Sequence, residues 1–269
     1  MHKLARQVRF SINPFGPVEA AGCNSFASNP PGEGLAIYFS LWVEVAGEIE
    51  ADTGFVVNVV EIDKAVRKYA AGLIGEYVRK QFTAKKHISF SEISGLLREM
   101  WRTIKDKFGK GEIVSLRLDL NPFRKIGIEA EDSKEMIISE KFEFAATHTL
   151  WNDKFSKEKN FEIFGKCANP TGHGHNYVVE VSLKVPADGE WVGMGVFEKI
   201  VDEKLISLVD HKNLNVDVPQ FTKMIPTVEN IAVFAWEKLA PMLGSKLNCV
   251  NVWETDKTYC SYCGPRDKA

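Results

Sequence analysis

The 269-residue chain passes twice through one order of hydrophobic patterns, and that repetition most restricts what it can fold into. In the second pass, KFEFAATHTL from Lys141 and NYVVEVSLKV from Asn176 place apolar residues near every second position, the period of strands with one buried face. A turn at Pro186-Ala187-Asp188-Gly189 leads to a short strand over residues 191–196. FEKIVDEKLISLVDH follows from Phe197, with Ile200, Val201, Leu205 and Leu208 at helical spacing. Thr227 stands as an N-cap before a second helix, ENIAVFAWEKLAPML. Glu229 falls in the first turn of that helix, where a carboxylate suits the helix dipole. Residues 248–262, rich in β-formers, supply the closing strands before Gly264-Pro265.

The first pass reads the same way. Strands fall near residues 8–12 and 35–45, followed by a turn at Asp52-Thr53-Gly54 and a helix running through about Val78. Ser89 and Glu92 form a capping-box pattern ahead of a second helix, ISGLLREMWRTIKDKF, and IVSLRLDL and KIGIEAED close the unit. The expected fold class is α+β, built as two tandem units over residues 1–134 and 135–269, with the boundary in the charged stretch 129–135.

Composition narrows the function classes. The 34 basic and 36 acidic residues are interspersed, so no basic footprint for nucleic acid exists, and a small-molecule partner fits better. Five cysteines, Cys23, Cys167, Cys249, Cys260 and Cys263, are odd in number and unevenly spaced. With no secretory apolar stretch, they imply a reducing, cytoplasmic setting. MHKLARQVR lacks acids, as an organelle transit segment does, but an alternating run begins at Val8. No apolar run approaches the length that spans a bilayer, so a soluble protein without a membrane partner is expected.

His173-Gly174-His175 is the sharpest local feature. At a strand start, residues i and i+2 point to one face, so two imidazoles can reach one ion, and His148 at the end of the preceding strand can bring a third. Alternatively these are polar residues at a loop mouth. Cys167, six residues before His173 on a Pro/Gly-bearing loop, is a fourth ligand, a general base or a structural cysteine. Asp210-His211 closes a helix, where the pair suits either a proton relay or a favourable helix terminus. Glu254 lies among apolar strand neighbours, placed either to grip a guanidine-like edge or to face solvent. The CxxC of Cys260 and Cys263 lies in a strand-like segment whose i and i+3 side chains diverge, which argues against a metal site. Lys154 to Lys159 reads as a solvated loop.

Taken together, FAATHTL, FGKCANPTGHGHNY, LVDHKNLN, PTVENIAVFAW and WETD resemble the 6-pyruvoyl-tetrahydropterin synthase family, in the same order, over about residues 142–264. The resemblance implies a T-fold in each unit: a four-stranded antiparallel sheet with two helices on one face. It implies zinc held by His148, His173 and His175, Cys167 as proton-abstracting base, and Asp210 and His211 as a relay. Glu254 matches the family's pterin anchor. Thr227 and Glu229 match its pocket-lining segment, with Val228 where the family often has a second threonine. By the same resemblance the substrate is 7,8-dihydroneopterin triphosphate. The five residues between Cys167 and His173 favour the pyruvoyl-forming branch over the carboxy-forming relative of deazapurine synthesis, and Cys167 itself argues against a branch that uses glutamate. A non-catalytic pterin-binding subunit is a further alternative. The first unit resembles the family only through EADTGFVVNVVEIDKAV. It reads FSINPF and GEGLAIYF where histidines would stand, and His2 and His87 lie elsewhere, so a metal-free unit of structural role is expected. T-folds assemble side by side into rings with pockets between subunits, which implies a homo-oligomer.

Overall fold

A computed structural model describes residues 1–16, 35–189 and 191–265 of the chain. Cys23 and part of GEGLAIYF fall outside these residues. The chain divides into two compact units, Met1–Ile138 with Val185–Gly189, and Ser139–Lys184 with Glu190–Ala269. The class is α+β with antiparallel sheet.

In the first unit β1 (His2–Ile12) and β2 (Ile37–Gly47) pair antiparallel, with Val8 opposite Leu41 and Phe10 opposite Phe39. The basic opening segment thus belongs to the first strand. A turn at Gly54, whose φ of +72° suits glycine, leads into α1 (Val59–Ala65). A π-helical widening at Val66–Ala70 follows, then α2 (Ala71–Thr83). Helix α3 (Phe90–Ile104) starts on the capping box read from the sequence, with Ser89 Oγ accepting from the Glu92 N–H and Glu92 reaching back to the Ser89 N–H. Strands β3 (Glu112–Asp119) and β4 (Arg124–Ile128) complete the order β1-β2-β3-β4. Alternation decides the packing. Val8, Leu41, Val43, Leu116, Leu118 and Ile126 are buried, as are Ile62, Val66, Leu97, Met100 and Ile104 of the helices. Helix α3 lies over β3 and β4, and α1 and α2 over β1. Each such side chain contributes roughly 1.5–3 kcal/mol relative to exposure.

From Glu135 the chain runs β5 (Glu135–His148), whose residues from Ser139 on belong to the second unit, α4 (Lys157–Phe164), β6 (His173–Pro186), of the second unit through Lys184, α5 (Met194–Val201), a π-helical turn at Asp202–Ile206, α6 (Ser207–Val209), β7 (Lys212–Asn213) and α7 (Leu214–Asp217). It closes with α8 (Val228–Leu243), β8 (Leu247–Thr255) and β9 (Thr258–Tyr262). Strands β5, β6, β8 and β9 are hydrogen-bonded in that order, β7 pairs in parallel with β5, and α8 packs on β8 and β9. The Thr227 N-cap forms, its Oγ1 accepting from the Asn230 N–H.

Three expectations change. Residues 154–159 are not simply a solvated loop: Ser156 caps α4 through the Lys159 N–H, and buried Asn160 bonds the backbone of Asn152 and Ser156. Residues 191–196 form no strand, because Gly193 turns at φ +79° and α5 begins at Met194. The odd, uneven cysteine set, read as the mark of a reducing setting, includes one bridge: Cys249 and Cys263, one step beyond the Val250–Tyr262 pair of β8 and β9, form a disulfide. It closes a 14-residue separation. The chain-entropy account assigns such a loop about 3 kcal/mol. Cys263→Ser is therefore expected to lower the midpoint of chemical denaturation by a corresponding amount, and an unchanged midpoint would count against any stabilising role. Among the described residues, no helix is long and apolar enough to cross a membrane.

Candidate metal centre and cavity

Strand periodicity builds the site. Along β6, Val179, Val181 and Leu183 point into the core, so Tyr177, His175 and His173 continue that same face toward the strand's start. On β5 the column Phe144, Ala146, His148 does likewise, and on β8 Val250, Val252, Glu254. The last apolar layer is the stack of Phe144 on Tyr177, with ring centroids 4.9 Å apart at 12°. Beyond it the three strands present imidazoles and a carboxylate. Gly172 makes the approach possible: at φ +69°, a Cβ there would sit 2.9 Å from the His148 carbonyl oxygen.

One ring nitrogen from each of His148, His173 and His175 lies within 4.8 Å of the others, a group that could hold a metal ion. His148 Nε2 is 3.2 Å from His173 Nε2. The Glu254 carboxylate is 3.5 Å from His148 Nε2 and 3.6 Å from His175 Nε2. His148 is wholly buried, and its Nδ1 stands 2.8 Å from the Pro226 carbonyl oxygen just ahead of α8. A carbonyl only accepts, so Nδ1 carries the hydrogen and the Nε2 lone pair faces the other rings. His175 Nε2 is buried with no hydrogen-bond partner among the described residues. Burial pushes the His148 and His175 pKa values down, against the Pro226 hydrogen bond for His148 and the Glu254 charge for His175. Both therefore favour the neutral, ligating form.

That shift has a sign for stability. An imidazole depressed in the folded state contributes stability that is complete above the unfolded value near 6.5 and lost as pH falls through the folded value. The metal-free protein is accordingly expected to show a falling Tm from about pH 6.5 downward. A flat Tm from neutrality to pH 5 would contradict it.

Cys167 reaches the cluster through the unforeseen helix. Helix α4 ends at Gly165, with φ +54°, and a 3-10 turn over Gly165–Ala168 is tied to the exit of β5 by the Leu150 N–H donating to the Cys167 carbonyl at 2.8 Å. Cys167 Sγ lies 3.6 Å from His173 Nε2. Burial, then the Glu254 charge, pushes its pKa up. Asp210 and His211 pair at 2.9 Å, and Asp210 also accepts from the Ala145 N–H, which holds its carboxyl below the usual range. The His211 side chain is 83% exposed and shares with His175, Thr147 and Lys212 the lining of a cavity of about 420 Å³. A second cavity, about 860 Å³, opens on His173, Phe161, Lys166 and Asn169. Thr227 is occupied as the α8 N-cap, and Glu229 is exposed in the first turn. Sequence reading missed the Pro226 carbonyl and Tyr177, whose hydroxyl is 3.3 Å from His148 Nδ1. Only the period-2 column through Tyr177 gave a signal for either. Among the described residues, the first unit holds no group of three such ligands.

The family model described as 6-pyruvoyl tetrahydropterin synthase matches residues 137–265. The chain is 40% identical over 131 residues to the Homo sapiens 6-pyruvoyl tetrahydrobiopterin synthase, covering 47% of this chain and 90% of that one. It is 39% identical over 135 residues to the Dictyostelium discoideum protein of the same name, covering 49% and 98%. The solved structure of the Caenorhabditis elegans 6-pyruvoyl tetrahydropterin synthase aligns at 34% identity and a TM-score of 0.46, covering 49% of this chain and 96% of that one. With the match lying over the unit that carries the three histidines and Cys167, the chain belongs to the 6-pyruvoyl tetrahydropterin synthase family.

Proposed function

We propose that the protein is a zinc-dependent 6-pyruvoyl-tetrahydropterin synthase, which converts 7,8-dihydroneopterin triphosphate to 6-pyruvoyl-tetrahydropterin with loss of triphosphate. The observation that carries the reading is the convergence of three imidazole nitrogens within 4.8 Å, beside a thiol 3.6 Å from one of them. The donors suit zinc: His148 Nδ1 is occupied by a carbonyl, which leaves Nε2 inward, and His175 Nε2 is a buried nitrogen in need of a partner. Bound to these three rings, zinc would polarise the substrate's side-chain oxygens, acidify the adjacent C–H bonds and favour the Cys167 thiolate.

Cys167 then removes the carbon-bound proton as general base. The Asp210–His211 pair relays protons between the site and solvent: the carboxylate orients Nδ1 and leaves the exposed Nε2 edge of the ring to exchange. Glu254 accepts from the guanidine-like edge of the pterin, and Thr227 and Glu229 at the start of α8 line its pocket. The first unit, lacking the histidine set, serves as a structural T-fold copy, and the chain assembles as a homo-oligomer of such units. Family membership and the exposure of His211 support a pocket completed by assembly.

The test is mass spectrometry of products after zinc-loaded protein meets 7,8-dihydroneopterin triphosphate. Triphosphate release with a three-carbon pyruvoyl product is expected. A carboxy product would assign the protein to the deazapurine branch, and binding without turnover would make it a pterin-binding subunit.

A further inference from the structure

We infer that Tyr177 is a positioning residue of the metal centre: its buried phenol, together with the Pro226 carbonyl, holds the His148 ring in the one tautomer and orientation that presents Nε2 to the ion. The inference rests on the reading of the three histidines as metal ligands. Tyr177 is fully buried, one residue along β6 from the last recorded β6–β8 pair, Val178 with Trp253. A buried phenol hydroxyl finds a hydrogen-bond partner, and this one lies 3.3 Å from His148 Nδ1. The Pro226 oxygen, at 2.8 Å from the same nitrogen, fixes its hydrogen there. The Nδ1–H is therefore a three-centre donor between Pro226 as the nearer acceptor and the Tyr177 oxygen as the farther one.

The phenol ring braces more than one ligand. It meets the His148 ring at 86° with centroids 6.2 Å apart, and the His175 ring at 65° and 5.5 Å. Beneath it the stacked Phe144 ring blocks any swing away from the cluster. A tyrosine serving only as core needs its ring alone. Here the hydroxyl is aimed at the nitrogen whose hydrogen decides which lone pair the metal meets. Groups that hydrogen-bond the far nitrogen of a ligating histidine typically change metal affinity about 10–100-fold when removed.

Tyr177→Phe isolates the hydroxyl, since the ring and its stack on Phe144 remain. Zinc affinity is measured by competition with a chromophoric chelator, alongside the visible spectrum of the cobalt-substituted protein and the Tm of the metal-free form. The expected result is a loss of zinc affinity of about tenfold, a shifted cobalt spectrum and a metal-free Tm close to wild type. Tyr177→Leu, which also removes the brace, should lose more affinity. Wild-type affinity and an unchanged cobalt spectrum in Tyr177→Phe would overturn the inference and leave Tyr177 a core residue. Failure of the wild type to bind zinc or cobalt would instead overturn the metal reading on which it rests. Should the variants not fold, NMR on the wild type decides: a slowly exchanging Tyr177 hydroxyl proton in close contact with the His148 Nδ1–H supports the clamp, and the absence of that contact or an Nε2–H tautomer refutes it.

Discussion

Cys167→Ala is expected to lower kcat by about a hundred- to ten-thousand-fold, the usual worth of a positioned general base, while zinc content and fold stay as in the wild type. The structural grounds for separating activity from stability are local. The Cys167 side chain is partly exposed, whereas its neighbour Ala168 is the residue that buries. The bond that docks the turn uses the Cys167 carbonyl, received from the Leu150 N–H, and so survives truncation of the side chain. The thiol faces His173 at 3.6 Å and is not one of the three grouped residues that could hold a metal ion. Cys167→Ser should also be slow, because a hydroxyl in that place is a far weaker acid than a thiol. Steady-state kinetics with metal analysis and thermal melts on the same samples check this. A variant keeping a tenth or more of wild-type kcat would remove Cys167 from the proton transfer, and one that loses zinc would make it a ligand.

Much of this arrangement was legible because it follows from period. The apolar alternation in β1, β2, β5, β6 and β8, the Ser89–Glu92 box and the Thr227 cap are local signals that tertiary packing did not override. The pairing of His173 with His175 is likewise a two-residue period, and His148 joins them because β5 and β6 are neighbours in the sheet. The misses share another cause. Helix α4 leaves Phe161 and Ile163 exposed and buries Asn160, so no apolar face announces it. The Cys249–Cys263 bridge depends on the register of β8 on β9, and the Pro226 contribution is a backbone oxygen that any residue would carry. Gly193 ends an extended reading by one dihedral angle.

Removing the ion should cost both turnover and stability, and two histidine variants separate the effects. His175→Ala deletes a mostly buried ring, 18% exposed, whose Nε2 has no hydrogen-bond partner among the described residues, so no hydrogen bond of the metal-free fold is lost with it and its melt should stay near that of the metal-free wild type, while zinc binding is lost. Loss of a Lewis acid worth several kcal/mol implies a fall in rate of at least about a thousandfold. His148→Ala deletes a wholly buried ring and strands the Pro226 carbonyl, which adds about 1–3 kcal/mol of destabilisation from the unpaired acceptor alone. In the wild type, zinc at a hundred times its Kd should raise stability by about 2.7 kcal/mol, and a chelator should take that increment away. Melts with and without zinc therefore give three readings, one for each protein. Wild type alone responds to the ion, His175→Ala melts as the metal-free wild type does, and His148→Ala melts below both. A zinc-dependent rise in Tm retained by His175→Ala would show that the three rings do not share one ion, and the proposed chemistry would lose its centre.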